Sequence, residues 1–180
     1  VEPIEQVLKD VDWKTLAFLL CMFCLVEAFN KTGVIQSLSH IFYVWFGVEL
    51  LPVGMTVLLV VGLGSSLLAN IPLVAAMILM LKGYFVLAQL VPEDALGPAF
   101  TSWPESSLPV FVAMMFAGTL GGNATLIGAS ANIVSAGICA AQGRPVGFAT
   151  FMRYGLPMTA CQLAVSAAYV AALFVVYNMG

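Results

Sequence analysis

Charge is what this sequence has least of. Asp, Glu, Lys and Arg make up 8% of its residues and hydrophobic residues 62%, against roughly 25% and about 45–50% in soluble globular chains. A soluble domain of this length has more surface than so few charges can cover. The charges are also clustered: Leu50–Leu81 and Ser106–Gly143 contain no Asp, Glu, Lys, Arg or His. Each run exceeds the roughly 18 apolar residues that mark a transmembrane helix, so the expected fold class is all-α and integral to a membrane. Basic clusters are absent and the net charge is −3, which leaves both nucleic-acid and anionic-lipid recognition without support in the sequence. The four cysteines lie within apolar runs, and Cys21 and Cys24, although spaced C-x-x-C, sit mid-helix and not at a helix start, where a redox pair would lie. They read as reduced packing residues. No His, Cys, Asp and Glu combination has metal-ligand spacing and no nucleophile has an identifiable base, so neither a resident metal nor an enzyme is expected. A basic leader is also lacking: the chain opens on Val1-Glu2-Pro3, and its first apolar run follows Asp10 and Asp12. Further sequence upstream is expected.

What is present is a series of apolar segments with polar punctuation. Val1–Asp10 reads as a linker or as the end of a longer cytosolic loop. Residues 13–30 read as a spanning helix, with Trp13 at one interface and Lys31 and Gly33 closing the other end. Over 34–47 the pattern turns amphipathic. Val34, Ile35, Leu38, Ile41, Phe42, Trp45 and Phe46 share one helical face, with Gln36, Ser37, Ser39, His40 and Tyr43 on the rest. That pattern predicts a helix lying flat in the interface with His40 solvated. The uncharged run from Leu50 would be about 48 Å long as one helix, too long for a hydrocarbon core of roughly 30 Å and too short for two full crossings. Its interior holds Gly64-Ser65-Ser66 and Asn70-Ile71-Pro72, predicting a re-entrant hairpin over 50–86 with its tip near 69–72. Residues 89–107 form a loop without Lys or Arg after Lys82. Residues 108–141 are a second interrupted run, a broken helix with its break near 119–125. Tyr154–Tyr177 reads as the last span, with Pro157 in its first turn. Arg144 and Arg153 place the preceding loop, 142–153, in the cytoplasm by the positive-inside rule, and the 89–107 loop outside; Lys82 counts mildly against this assignment.

Two breaks in apolar runs, each carrying an Asn among small residues, form the functional signal. Discontinuous helices expose dipole ends and free carbonyls at mid-membrane, where secondary transporters bind substrate and coupling ions. An Asn amide can ligate a cation through its oxygen or donate to an anion through its NH2. The bland alternative is that Gly and Asn merely pack helices. Glu27, the one acid inside an apolar stretch, lies about 9 Å of helical rise before Gly33; it reads as a snorkelling interfacial residue or as a proton or ion carrier.

Gly121-Gly122-Asn123-Ala124-Thr125-Leu126-Ile127-Gly128-Ala129-Ser130-Ala131-Asn132 with Ala136-Gly137-Ile138 resembles the signature of the ion transporter superfamily. The similar branch, with its citrate-transporter-like domain, holds the melanosomal P protein, arsenite permeases and sodium/proton antiporters. Asn70-Ile71-Pro72 after Ser65-Ser66 resembles that branch's hairpin tip. Val11-Asp12-Trp13, Lys31-Thr32-Gly33 and Gly147-Phe148 through Gly155-Leu156-Pro157 also fit it. The resemblance implies an inverted repeat of which this chain is the C-terminal half, its partner repeat lying upstream. It also implies a shared site built from Ser65, Ser66, Ala69 and Asn70 at the tip and from Thr119, Gly121, Gly122, Asn123, Ala124 and Thr125 at the break. Ser130 and Asn132 follow on the second half-helix, whose N-terminal dipole favours an anion.

Ala69 departs from the pattern, since many cation/proton exchangers of this group have Asp before the hairpin Asn. The expected function is therefore secondary transport of an inorganic or small organic anion, of arsenite, oxyacid or carboxylate type. Coupling to Na+ or H+ is expected in place of any organic cofactor, with sodium held at Asn70 and Asn123. A sodium/proton antiporter is the alternative within the superfamily, and an ion channel a further one. A non-transporting assembly subunit, packed through the Ala160, Ala164, Ala168, Ala172 ridge, is the alternative from another class. Expected partners are the lipid bilayer, the upstream repeat, the transported ion and, as an open option, a second copy of the chain.

Overall fold

The computed structural model describes Lys9, Val11 and residues 13–178, so the linker expected over Val1–Asp10 lies outside the described residues apart from Lys9. The described residues form an all-helical chain. Seven α-helices follow in order: α1 (Trp13–Lys31), α2 (Val34–Phe46), α3 (Leu50–Ser65), α4 (Asn70–Leu87), α5 (Leu108–Gly121), α6 (Ser130–Ala141) and α7 (Phe148–Asn178). Short 3-10 turns at Glu93–Leu96, Glu105–Ser107 and Gly122–Ala124 punctuate the loops. Asn70–Leu87, Glu105–Ala124 and Phe148–Tyr177 are long and apolar enough to cross a membrane. Leu16–Lys31 and Val34–Phe46, bent by 63°, make a fourth crossing if they are one broken span. The protein is an integral, multi-pass membrane protein.

Small residues set the central packing. α3 and α5 run side by side and parallel: a Cβ on Gly54 would lie 3.9 Å from the Val110 Cα, and one on Gly121 would lie 2.2 Å from the Gly62 carbonyl oxygen. No side chain fits between the two backbones there. α7 returns antiparallel along both, with Phe174 against Gly54 and Tyr169 edge-on to Phe116 at 5.8 Å. Val53, Val57 and Val61 of α3, Leu81 and Phe85 of α4, Val110 and Ala117 of α5 and Val170 of α7 meet in one buried core. By contrast α6 buries none of its residues and α1 contributes only Val26 to the core among its described residues. Their apolar surfaces suit lipid or another apolar helix, not water.

Several boundaries differ from the sequence expectation, each for a packing reason. The first interruption occupies residues 66–69, and Asn70, Ile71 and Pro72 are already the first turn of α4, where Pro costs no hydrogen bond. α4 has 18 residues and is long enough to cross by length alone, not a half-length piece. In the second interruption, Thr119 and Gly121 stay helical and the chain departs at Gly122, resuming at Ser130. Gly118 and Gly121 serve as close-contact points against α4 and α3, so the helix is held to its end in spite of their low propensity. The last helix begins at Phe148, placing Arg153 within it and Pro157 in its interior; neighbouring groups in membrane helices tolerate such a proline. α7 packs through Thr159, Ser166, Val170 and Phe174, while Ala160, Ala164, Ala168 and Tyr169 face outward.

α2 is amphipathic, but its polar positions are not all wet. Ile35, Ser39 and Phe42 form its buried stripe, while Val34, Leu38, Ile41 and Trp45 are exposed. Ser39 is buried because its hydroxyl has backbone acceptors on both sides, Met80 O at 2.8 Å and Ile35 O at 3.0 Å. It faces Gly83, where a Cβ would come within 2.5 Å of its Oγ. His40 is exposed.

Candidate functional site: where the two interruptions meet

The end of α3 and the start of α4 bring the first interruption against the second. Ser65, fully buried at the last turn of α3, places its hydroxyl 2.7 Å from the Gly118 carbonyl of α5 and 2.5 Å from Asn70 Oδ1. One hydroxyl proton cannot serve two acceptors. Donation to Gly118 O leaves the Asn70 amide to turn its NH2 toward Ser65 and its oxygen toward Gly122. Asn70 in either orientation lies against the break, its amide about the distance of a contact (3.2 Å) from where a Gly122 Cβ would stand.

Thr125 fastens the second link. Its hydroxyl donates to the Ser66 carbonyl and accepts from the Gly128 amide at 3.0 Å. Asn132, at the start of α6, reaches back and donates its amide to Gly122 O at 3.1 Å and Thr125 O at 3.0 Å. Carbonyls released by unwinding are satisfied in this way inside the protein, as buried non-helical backbone requires. The break also folds tightly on itself: a Cβ on Gly122 would lie 2.8 Å from Gly128 O, and one on Gly128 would lie 2.5 Å from Gly122 O. Glycine is required at both positions because the neighbour is backbone and cannot move aside. α7 closes the far side, where a Cβ on Gly155 would lie 2.7 Å from Asn123 O.

Ser65, Ser66, Asn70, Gly122, Thr125 and Asn132 are thus joined in one cluster, with Gly121 and Ala124 buried behind it. Ala69 sits at the N-cap of α4 in extended backbone, with no side-chain cap. Asn123 turns from the tip toward α7 and donates to Gln162 Oε1 at 3.2 Å. Thr119 and Ser130 are exposed and outside the cluster. Glu27 finds its partners on its own helix, Lys31 at 3.7 Å and Asn30 at 3.5 Å. Gln162 escaped sequence reasoning, although it is the single amide in the apolar stretch Tyr154–Tyr177. The Gly118 carbonyl left no signal at all, since backbone acceptors are invisible in sequence.

The cluster presents hydroxyl, amide and carbonyl oxygens together with two helix N-termini, of α4 and α6, that no side chain caps. Such a set can ligate a hard cation through oxygen or receive an anion at the helix ends. Residues 1–102, more than half of the chain, match the citrate transporter family. The chain belongs to that family. Over 95% of its length it is 45% identical to an uncharacterized transporter of Synechocystis sp.. It is 35% identical over 98% of its length to the P protein of Homo sapiens, and 33% identical over 92% to an uncharacterized transporter of Mycobacterium bovis. The chain spans 38%, 20% and 35% of those relatives' own lengths. No solved structure matches it.

Proposed function

We propose that this chain is the C-terminal repeat of a secondary active transporter, and that the cluster at Ser65, Asn70 and Thr125 is its half of the ion and substrate site. The observation that carries the reading is the direct hydrogen bonding of one interruption to the other, through Ser65 to Gly118 and Thr125 to Ser66. Interruptions that only relieved helix packing would have no need to meet. Transporter names among the relatives support the same reading.

The substrate class proposed is an inorganic or small organic anion. No carboxylate side chain takes part in the cluster's hydrogen bonds, whose members are Ser, Thr, Asn and backbone. A neutral oxygen set can hold Na+ as coupling ion, and uncapped helix ends can hold the anion. Ala69 gives no titratable group for obligatory proton exchange. The upstream repeat supplies the other half of the site and lipid the surroundings.

The test is uptake by the full-length protein in proteoliposomes. Asn70→Ala and Thr125→Val should each lower apparent affinity for substrate or coupling ion by roughly tenfold or more, because a hydrogen bond to a charged group is worth about 1.5–3 kcal/mol. Gln142→Ala, in the loop before α7, should leave uptake unchanged. Full uptake by both cluster variants would refute the shared site, and absence of any solute flux in the wild type would favour the assembly-subunit alternative.

A further inference from the structure

A second cleft, away from the two interruptions, lies between α2 and the C-terminal half of α4. Its volume is about 520 Å³. Asn30, Gln36, His40 and Lys82 are its polar lining, and Leu79, Val86, Leu87 and Leu96 its apolar lining. Lys82 is the informative residue. It is half-buried, in a helix otherwise free of charge, and it takes no part in the ion pair found among the described residues, Lys31–Glu27, whose carboxylate accepts from Asn30 at the cleft's border. Its ammonium donates to Gly97 O at 2.9 Å and lies 5.8 Å over the Trp103 ring. An ammonium has three donors, so a carbonyl and a ring face leave it short of a counter-charge. Glu93 and Asp94, on the neighbouring turn, are exposed and do not bound the cleft.

The surroundings favour an anion beside Lys82. Gln36 and His40 are one helical turn apart on α2 and both bound the cleft, offering an amide and an imidazole beside the ammonium. Gln36 is oriented by its donation to Asn30 Oδ1 at 2.9 Å. Asn30 is in the last turn of α1 and Lys82 stands five residues before the end of α4, a depth at which lysines extend toward a membrane interface. Leu79 lies about one turn before Lys82 on α4 and Val86 and Leu87 about one turn after it, so apolar surface for an acyl chain runs along the helix past the ammonium.

We infer that the α2–α4 cleft binds an anionic amphiphile, its headgroup held by Lys82, Gln36 and His40 and its acyl chain by Leu79, Val86 and Leu87. Occupancy fastens α2 to α4, the helix whose other end carries Asn70. The chemistry is that of a phosphate or carboxylate attached to an apolar tail.

The test is native mass spectrometry of the full-length protein, delipidated and returned to phosphatidylglycerol, phosphatidylcholine or inorganic phosphate alone. Phosphatidylglycerol should bind at least about tenfold more tightly than phosphatidylcholine. Lys82→Gln should abolish that preference and Lys82→Arg should keep it. His40→Ala, at an exposed position that folding does not need, should weaken it about threefold and decides the matter if Lys82→Gln does not fold. Equal binding of the two lipids, an undiminished preference in folded Lys82→Gln or, failing that, in His40→Ala, or saturation of the cleft by inorganic phosphate alone would each overturn the inference.

Discussion

At the scale of single residues, the glycines of the two apolar runs divide into those whose added Cβ would meet backbone, those where it would meet side chains and those where it would meet nothing. Gly121 belongs to the first kind, facing Gly62 O at 2.2 Å from its virtual Cβ, and Gly137 to the last, with open space around it. Gly121→Ala must push α5 off α3 and should cost about 1–3 kcal/mol, the usual range for overpacking a tight contact. Gly137→Ala, inside α6, should be neutral or stabilise by roughly 0.5–1 kcal/mol through lower backbone entropy. Melting temperatures of the two variants in one detergent check the contrast. Equal melting temperatures would show that the α3–α5 contact does not carry the fold. Sequence alone offered no way to rank these glycines, because both lie in apolar runs and the difference resides in the neighbour.

At the scale of elements, the start of α4 is where stability and function are most closely linked. Ala69 occupies the N-cap in extended backbone and supplies no side-chain acceptor, so the first amides of α4 are unsatisfied by it. Asp or Asn there should each stabilise the protein by about 0.5–2 kcal/mol as a helix cap. Only Asp adds a titratable carboxylate beside Asn70. In the full-length protein, Ala69→Asp should therefore bring cation exchange that rises as pH increases through the carboxylate's range, while Ala69→Asn should raise the melting temperature alone. Exchange in both variants, or in neither, would detach coupling chemistry from this position. The existence of both interruptions was legible in Gly64-Ser65-Ser66 and Gly118 through Asn123. Their limits were not, because the end of α5 is kept helical by Gly118 against α4 and Gly121 against α3, contacts more than forty residues away in sequence.

At the scale of the whole molecule, the arrangement is one of parallel α3 and α5 with α7 returning antiparallel along both. The second run passes from the turn at Glu93–Leu96 through α5, the break and α6 to the loop preceding Phe148. If that run crosses the membrane once, Asp94→Cys and Arg144→Cys in a cysteine-free background should label with an impermeant thiol reagent from opposite sides, Arg144→Cys from the cytoplasm. Labelling of both from one side would make the run a second re-entrant hairpin. The background must first lose Cys21, Cys24 and Cys161, which are exposed, and the half-buried Cys139.

Membrane residence, helical class and the presence of two broken apolar runs followed from the sequence by itself, because charge depletion and run length act locally and lipid leaves the backbone few solutions. The candidate site was legible in part: Ser65, Asn70, Thr125 and Asn132 could be named from composition, spacing and resemblance. Which of them meet was decided only by tertiary structure. Asn132, and not Asn123, satisfies the break's carbonyls; Asn123 turns to Gln162; Ser65 bonds the carbonyl of Gly118. Each of these depends on how closely two glycine-bearing helices approach, and on backbone oxygens that every residue carries alike, so no pattern of side chains along the chain encodes them.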